Sequence, residues 1–383
     1  MSTGAPLQGW PAPSNPTPRP ALRRVLGYGA LLTVFLLCLA LLALFLGVDV
    51  GLRAAALAAV FAAIPMLVVV PVFLWLDRFE AEPTRLLVAT FLWGAVCAPV
   101  GALVFNTGIH RLFVLAGARD AEAMSAVLSA PPVEEGLKGL AILLVLLLRR
   151  REFDGVVDGI VYAGMVGAGF AFSENIVYLG RAFDENGLQG LTGVFILRCL
   201  VGPFAHPLFT ACTGIGLGLA ASVARTSAAR FAFAVLGYAV AILLHAIWNL
   251  SAVMGAYVKV YLLFQVPVFL GFLVLVVLLR RRESRLIRLY LSQYADAGWL
   301  THPEVAMLAS LPARRQARSW AAANGGKAAA SSMQALQDTA ADLALLRARI
   351  VNRSAEAEAG DRERELLQSL TTHRAAFVGT GAL

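Results

Sequence analysis

Apolar stretches broken by short polar segments run along most of the chain. "YGALLTVFLLCLALLALFLGV" (Tyr28–Val48) and "YLLFQVPVFLGFLVLVVLL" (Tyr261–Leu279) are each close to the ~20 residues an α-helix needs to cross hydrocarbon. The hydropathy pattern predicts about eight such spans, roughly at residues 26–48, 53–76, 84–106, 126–148, 156–180, 193–222, 231–254 and 258–279. The expected fold class is therefore all-α, a polytopic membrane helical bundle of about eight transmembrane helices with a cytoplasmic helical tail. Basic residues precede the first apolar run, as in a signal peptide. That run is longer than the roughly 7–15-residue core of such a signal and lacks a small-x-small cleavage site, so it reads as a retained helix.

The flanking regions follow other patterns. Residues 1–25 are proline-rich, including "APLQGWPAPSNPTPRP" (Ala5–Pro20), and are expected to be a disordered tail. Residues 26–282 form the transmembrane region, and residues 283–383 read as a polar, alanine-rich, helical C-terminal region with a glycine break at "NGGK" (Asn324–Lys327). Within that region "THPEVAML" has the signature of a capped helix start, with Thr301 ahead of Pro303 and Glu304. The tail reveals no chemistry of its own and is a candidate surface for a cytoplasmic partner.

Composition agrees with a lipid environment. Hydrophobic residues make up 59% of the chain and charged residues only 15%, against about 25% in an ordinary soluble domain. The mean hydropathy is +0.73. A net charge of +8 need not signal nucleic acid, because the basic residues border the spans. Arg19, Arg23 and Arg24 precede the first; Arg78 and Arg85, Arg149–Arg151, Arg225 and Arg230, and Arg280–Arg282 follow alternate spans. All fall on one side if the count is right, which places that side and both termini in the cytoplasm and makes the bilayer itself a partner. The cysteines (Cys38, Cys97, Cys199, Cys212) lie in or beside apolar segments without CxxC spacing, and suggest neither a disulfide framework nor a thiolate metal site.

Against this background a few polar residues stand out well inside the spans. "PPVEEGLKGL" carries Glu134, Glu135 and Lys138; "GFAFSENIVY" carries Glu174 and Asn175; "GPFAHPLFTACTGIGLG" carries His206; "LLHAIWNLS" carries His245 and Asn249. A charge at the bilayer centre costs about 2.5–3.5 kcal/mol even on insertion scales, so such groups usually face a protein interior and mark function. With alternating spans and a rise of 1.5 Å per residue, Glu134, Glu174 and His245 fall roughly 9–14 Å below the outer surface, and His206 at a similar or greater depth. Asp158 and Arg198 lie nearer span ends, within reach of water, and are set aside. His110, His302 and His373 fall in an outer loop or the tail. Simpler readings exist: an ion pair of the glutamates with Lys138, a solvated helix end at Glu174, a His206 that bonds a carbonyl freed by Pro207, and an interhelical bond at His245 and Asn249.

Spacing and chemistry narrow the choice. Glu134 and Glu135 are offset by about 100° on a helix and cannot point the same way, whereas Glu134 with Lys138, and His245 with Asn249, share a face. Glycines 164, 167, 169, 214, 216 and 218 allow close helix packing around a site. A carboxylate in a partly apolar pocket can act as general base toward water. Two histidines and a carboxylate are also the ligand set of many catalytic zinc sites. His and Asn can alternatively donate to an oxyanion without metal. Either scheme hydrolyses an amide. Buried Glu and His also serve proton-coupled transporters, although neither paired repeats nor broken helices are evident. A catalytically silent scaffold is the third alternative.

In these motifs the chain resembles the PrsW family of intramembrane proteases, relatives of the CAAX prenyl-endopeptidase group. The resemblance rests on "EEGLK" (Glu134–Lys138), "GFAFSENIVY" with Phe170, Glu174 and Asn175, "HPLFTACTGIGLG" from His206, and "HAIWN" (His245–Asn249), with "DRFEAEP" (Asp77–Pro83) ahead of the third span. It implies a bacterial cell-membrane endopeptidase that cleaves membrane-anchored proteins such as anti-sigma factors. Glu134 and Glu135 would activate water, Asn249 would be an oxyanion or orienting donor, and Glu174, His206 and His245 would bind a divalent metal, zinc being the expected ion, or stabilise the transition state. The second motif has Glu174 where the prenyl-endopeptidases have histidine, which argues against a direct copy of their mechanism and against farnesylated substrates.

Overall fold

The computed structural model describes residues 21–150, 152–351 and 359–378, and every regular element among them is a helix. The expected proline-rich tail lies mostly outside the described residues. The first two helices are α1 (Ala21–Asp49) and α2 (Leu52–Leu76). A long α3 (Thr84–Leu115) carries one wide turn at Trp93–Cys97. After a one-turn lead-in (Ala121–Met124) and a second wide turn (Ser125–Ser129) comes α4 (Ala130–Leu148). Then follow α5 (Val156–Val194), α6 (Ala205–Ser222), α7 (Ser227–Val253) and α8 (Tyr257–Asp296).

Six described segments are long and apolar enough to cross a membrane: Gly29–Asp49, Leu52–Leu76, Thr84–Leu115, Val156–Ser222, Ser227–Val253 and Tyr257–Asp296. The difference from the eight expected has two physical sources. One is α4, long enough at 19 residues but carrying Glu134, Glu135 and Lys138. The other is Val156–Ser222, whose 67 residues would stretch ~100 Å as one straight helix. Instead the chain reverses at Gly187, where φ is 60° and ψ −148°, a conformation essentially confined to glycine. The returning stretch then runs antiparallel to the outgoing one. A Cβ on Gly190 would sit 2.3 Å from the Ala182 carbonyl oxygen, one on Gly167 2.7 Å from Pro207 Cα, and one on Gly214 2.1 Å from the Gly159 oxygen.

The small residues flagged in the sequence thus bring backbones together around α5. Gly169 meets α3 in the same way, with a Cβ position 2.1 Å from the Phe91 oxygen, and Ser173 Oγ donates to the Ala95 carbonyl beside it. The interior of α5 (Ile160, Val161, Tyr162, Val166, Ala168) is fully enclosed by α2, α3 and α6. Lipid-length helices such as α1 instead expose Leu31, Leu37 and Leu44. Burying α5 on nearly every side fixes where its polar residues point; α4 and α6 pack against it, and α7 packs against α4 and α6.

Beyond its apolar part α8 continues as a polar helix and is followed by α9 (His302–Leu308), α10 (Leu311–Val351) and α11 (Ala359–Val378). Thr301 caps α9 in a reciprocal bond pair with Glu304, and Gly326 (φ 67°, ψ −160°) reverses α10 within the expected glycine break. These helices enclose their own apolar core of Ile287, Leu291, Leu308, Met333, Ala340 and Leu343, into which Phe79 inserts from the loop between α2 and α3.

Candidate active site

The polar residues of α4, α5, α6 and α7 come together. On α4, Glu135 is fully buried and three donors surround its carboxylate. Lys138 Nζ lies 2.6 Å from Oε1, His245 Nδ1 lies 2.9 Å from the same oxygen, and Thr210 Oγ1 donates to Oε2 at 3.0 Å. Its neighbour Glu134, one residue earlier and rotated about 100°, is held only loosely. Asn106 Nδ2 donates to Oε1 at 3.5 Å, His245 Nε2 lies 3.8 Å from Oε2, and Oε2 has no hydrogen-bond partner although buried. The spacing predicted divergent directions, and the packing gives the two acids different surroundings.

The two histidines are held in parallel ways. His245 is 1% exposed and has Glu135 on Nδ1, leaving Nε2 toward Glu134. His206, buried on α6, has Glu174 Oε2 at 2.6 Å from Nε2 and Lys138 Nζ at 3.1 Å from Nδ1. The imidazole rings lie edge to face with centroids 5.1 Å apart. A carboxylate behind each imidazole fixes ring orientation and tautomer, as around metal-bound or catalytic histidines. Lys138 also sits 4.1 Å from the Phe170 ring centre, so the cation fills the space between the glutamate pair and His206.

Two expectations meet a different arrangement. Glu174 pairs with His206 and with Arg198, whose Nη2 donates to Glu174 while its Nε donates to Asn175 Oδ1 at 2.9 Å. Arg198, set aside as a span-end residue, is therefore part of the cluster, and Tyr178 stacks on its guanidinium at 4.0 Å. The signal was an arginine inside the otherwise apolar "FILRCLV". Asn249 spends Nδ2 on the Ala126 carbonyl at 2.8 Å, tying α7 to the wide turn ahead of α4. Thr210 and Asn106 escaped the sequence reading because small polar residues in helices are ordinary. Asp158, the other residue set aside, accepts the Asp154 and Gly155 N–H groups at the start of α5.

Can the cluster hold a cation? Donor atoms of Glu134, His206 and His245 all lie within 4.8 Å of one another and all three residues are buried. The unpartnered Glu134 Oε2 faces His245 Nε2 at 3.8 Å. The surrounding formal charges (Glu134, Glu135 and Glu174 against Lys138 and Arg198) leave one negative charge over, which favours a bound cation. Both ring nitrogens of His206 already have partners, so an ion there would displace Lys138 or Glu174, and in the latter case the Glu174 oxygen is itself available as a donor. Two imidazoles and a carboxylate suit zinc and the other divalent first-row metals. The donor set therefore fits a divalent ion.

Comparisons with known proteins converge on one family. The family model described as "PrsW family intramembrane metalloprotease" matches residues 82–276, a stretch that contains every residue of the cluster. The chain is 33% identical over 144 residues to Protease PrsW of Geobacillus kaustophilus (strain HTA426), covering 38% of this chain and 58% of that one. With Protease PrsW of Clostridioides difficile (strain 630) the identity is 32% over 155 residues, covering 39% and 62%, and with that of Oceanobacillus iheyensis 28% over 177 residues, covering 46% and 74%. The chain thus spans about three fifths of the length of the first two of these relatives. No solved structure matches it. With helices fit to cross a bilayer and a matched region that takes in the whole buried cluster, the chain is an integral membrane protein and belongs to the PrsW family.

Proposed function

We propose that the chain is an intramembrane endopeptidase of the bacterial cell membrane that hydrolyses peptide bonds of membrane-anchored proteins, anti-sigma-factor-like proteins among them. The observation that carries this reading is the convergence of Glu134, Glu135, Glu174, His206 and His245 from four helices into one buried cluster. In this reading the Val156–Ser222 hairpin, α5 with α6, counts as two passes and α4 as one, which gives eight spans, cytoplasmic termini and a cytoplasmic tail.

Peptide hydrolysis needs a water stripped of a proton, a stabilised oxyanion and a proton for the leaving amine. Glu134 is suited to take the proton from water, because one of its oxygens is unpartnered and the other has only the long Asn106 contact. Glu135 is fully engaged and orients His245, as Glu174 orients His206. Lys138, held between Glu135 and His206, would donate to the charge that develops on the carbonyl oxygen. Asn249 would position α7 through its Ala126 bond rather than act on substrate. Glu134, His206 and His245 would hold a divalent ion, zinc by choice of donors, which when bound supplies Lewis-acid polarisation and a more acidic water.

The test is cleavage of a single-span reporter in a bacterial host. Glu134→Gln, His206→Ala and His245→Ala should each lower cleavage by about 100-fold or more, and His302→Ala, in the tail, should leave it unchanged. Undiminished cleavage by the Glu134→Gln and His245→Ala proteins would sink the proposal.

A further inference from the structure

The arginines that follow the last apolar run build a specific cavity. Beyond Leu279, α8 continues as Arg280–Arg282, Glu283, Ser284, Arg285 and Arg288. At about 100° per residue, Val277, Leu278, Arg281, Ser284, Arg285 and Arg288 fall on one face, while Glu283 lies on the opposite one. That face borders an open cavity of about 810 Å³ that Trp75, Phe79 and the 309–312 turn also line. Glu283 and Arg282 instead line a different cavity. No acidic side chain lines the first one among the described residues.

The cavity has two chemical halves. Trp75, Val277 and Leu278 form an apolar wall and are each at least 42% exposed. Arg281, Arg285 and Arg288 form an exposed cationic rim directly beyond it. Arg280 is different: 8% exposed, it donates to the carbonyls of Trp75 and Leu76 and stacks 4.3 Å from the Trp75 ring, which braces the joint between α2 and α8. Arginines that only set orientation need neither a shared face nor a cavity. An acyl chain against an indole, with a phosphate beyond it met by guanidinium groups, matches this layout.

We propose that this cavity is a binding site for one anionic phospholipid of the bilayer, its phosphate held by Arg281, Arg285 and Arg288 and its glycerol and acyl region lying against Trp75 and Leu278. Charge complementarity commits the site to an anionic headgroup, and the apolar wall commits it to a lipid rather than to free phosphate. Because the 309–312 turn lines the cavity and Ser284 Oγ donates to the Ala309 carbonyl at 2.7 Å, a bound lipid would lie between the membrane helices and the C-terminal helices.

Native mass spectrometry of the detergent-purified full chain tests this with phosphatidylglycerol, phosphatidylcholine and inorganic phosphate as separate probes. The expected result is one phosphatidylglycerol retained in preference to phosphatidylcholine, with no displacement by millimolar phosphate. Retention should fall by roughly tenfold or more in Arg281→Gln/Arg285→Gln/Arg288→Gln, given the attraction each basic residue contributes at an anionic surface. It should stay within about twofold in the corresponding triple Lys variant, which keeps the charge, and in Arg225→Gln/Arg230→Gln, which removes basic residues elsewhere. Equal retention of the two lipids by the unmodified protein would overturn the proposal whatever the variants do. So would an equal loss in the Arg225/Arg230 control, or displacement by phosphate.

Discussion

Glu135 receives hydrogen bonds from Lys138, Thr210 and His245 with no exposure to solvent, whereas Glu134 has one long hydrogen bond, at 3.5 Å, and an oxygen with none. That contrast assigns different costs to their removal. Glu135→Gln leaves the buried Lys138 ammonium without its counter-ion, and breaking such a pair costs about 3–5 kcal/mol. Glu134→Gln removes an acid that nothing binds firmly, and should cost no more than about 1 kcal/mol. Unfolding of the two variants in detergent, followed by intrinsic fluorescence, checks the order; equal losses would contradict it. Helical spacing foretold that the two acids diverge, but which one is tied down depends on Thr210 and His245, distant in sequence. Arg198 shows the converse: a lone arginine near a span end looks solvated until the chain reversal brings it against Glu174.

At the scale of elements, the site depends on how closely α6 lies against α5. Gly214 faces Gly159 with no room for a side chain, and His206 and Thr210 sit on α6 two turns and one turn before it. Gly214→Leu should force the helices apart, abolish reporter cleavage and reduce the folded yield. Gly193→Leu, at a glycine with open space around it, should do neither. Folded yield and cleavage measured together decide this, and a fully active Gly214→Leu protein would contradict close packing as the basis of the site. The glycine spacing was readable in the sequence because small residues mark close helix contact. The Gly187 reversal was read only as a gap between two spans, since its φ of 60° depends on the hairpin that it closes.

The whole molecule joins the core of the C-terminal helices to the separate cores among the apolar helices. Arg314 links them. It is 1% exposed and its guanidinium donates to the carbonyls of Leu308, Phe79 and Gln337 at 2.7–2.9 Å. Burial lowers its pKa to about 10, so it stays charged at neutral pH. A second tie pairs Arg349 with Asp154, in the loop between α4 and α5. Arg314→Ala orphans those carbonyls and should destabilise the tail by about 2–4 kcal/mol, seen as faster amide exchange in α9 and α10 and in the loop around Phe79. Unchanged exchange there would show that the tail packs without it. The sequence showed that this region is helical, but not its docking, because alanine-rich helices with scattered arginines look the same whether paired or free.

The proposed hydrolysis by this one buried cluster is the reading on which the rest depends. Its most direct measurement is mass spectrometry of a single-span peptide incubated in oxygen-18 water with the purified protein reconstituted in lipid vesicles. The expected result is cleavage with one oxygen-18 in the newly formed carboxyl terminus, and its loss in Glu134→Gln protein that remains folded. An intact peptide with the unmodified protein, or labelled product at full rate from Glu134→Gln, would contradict it.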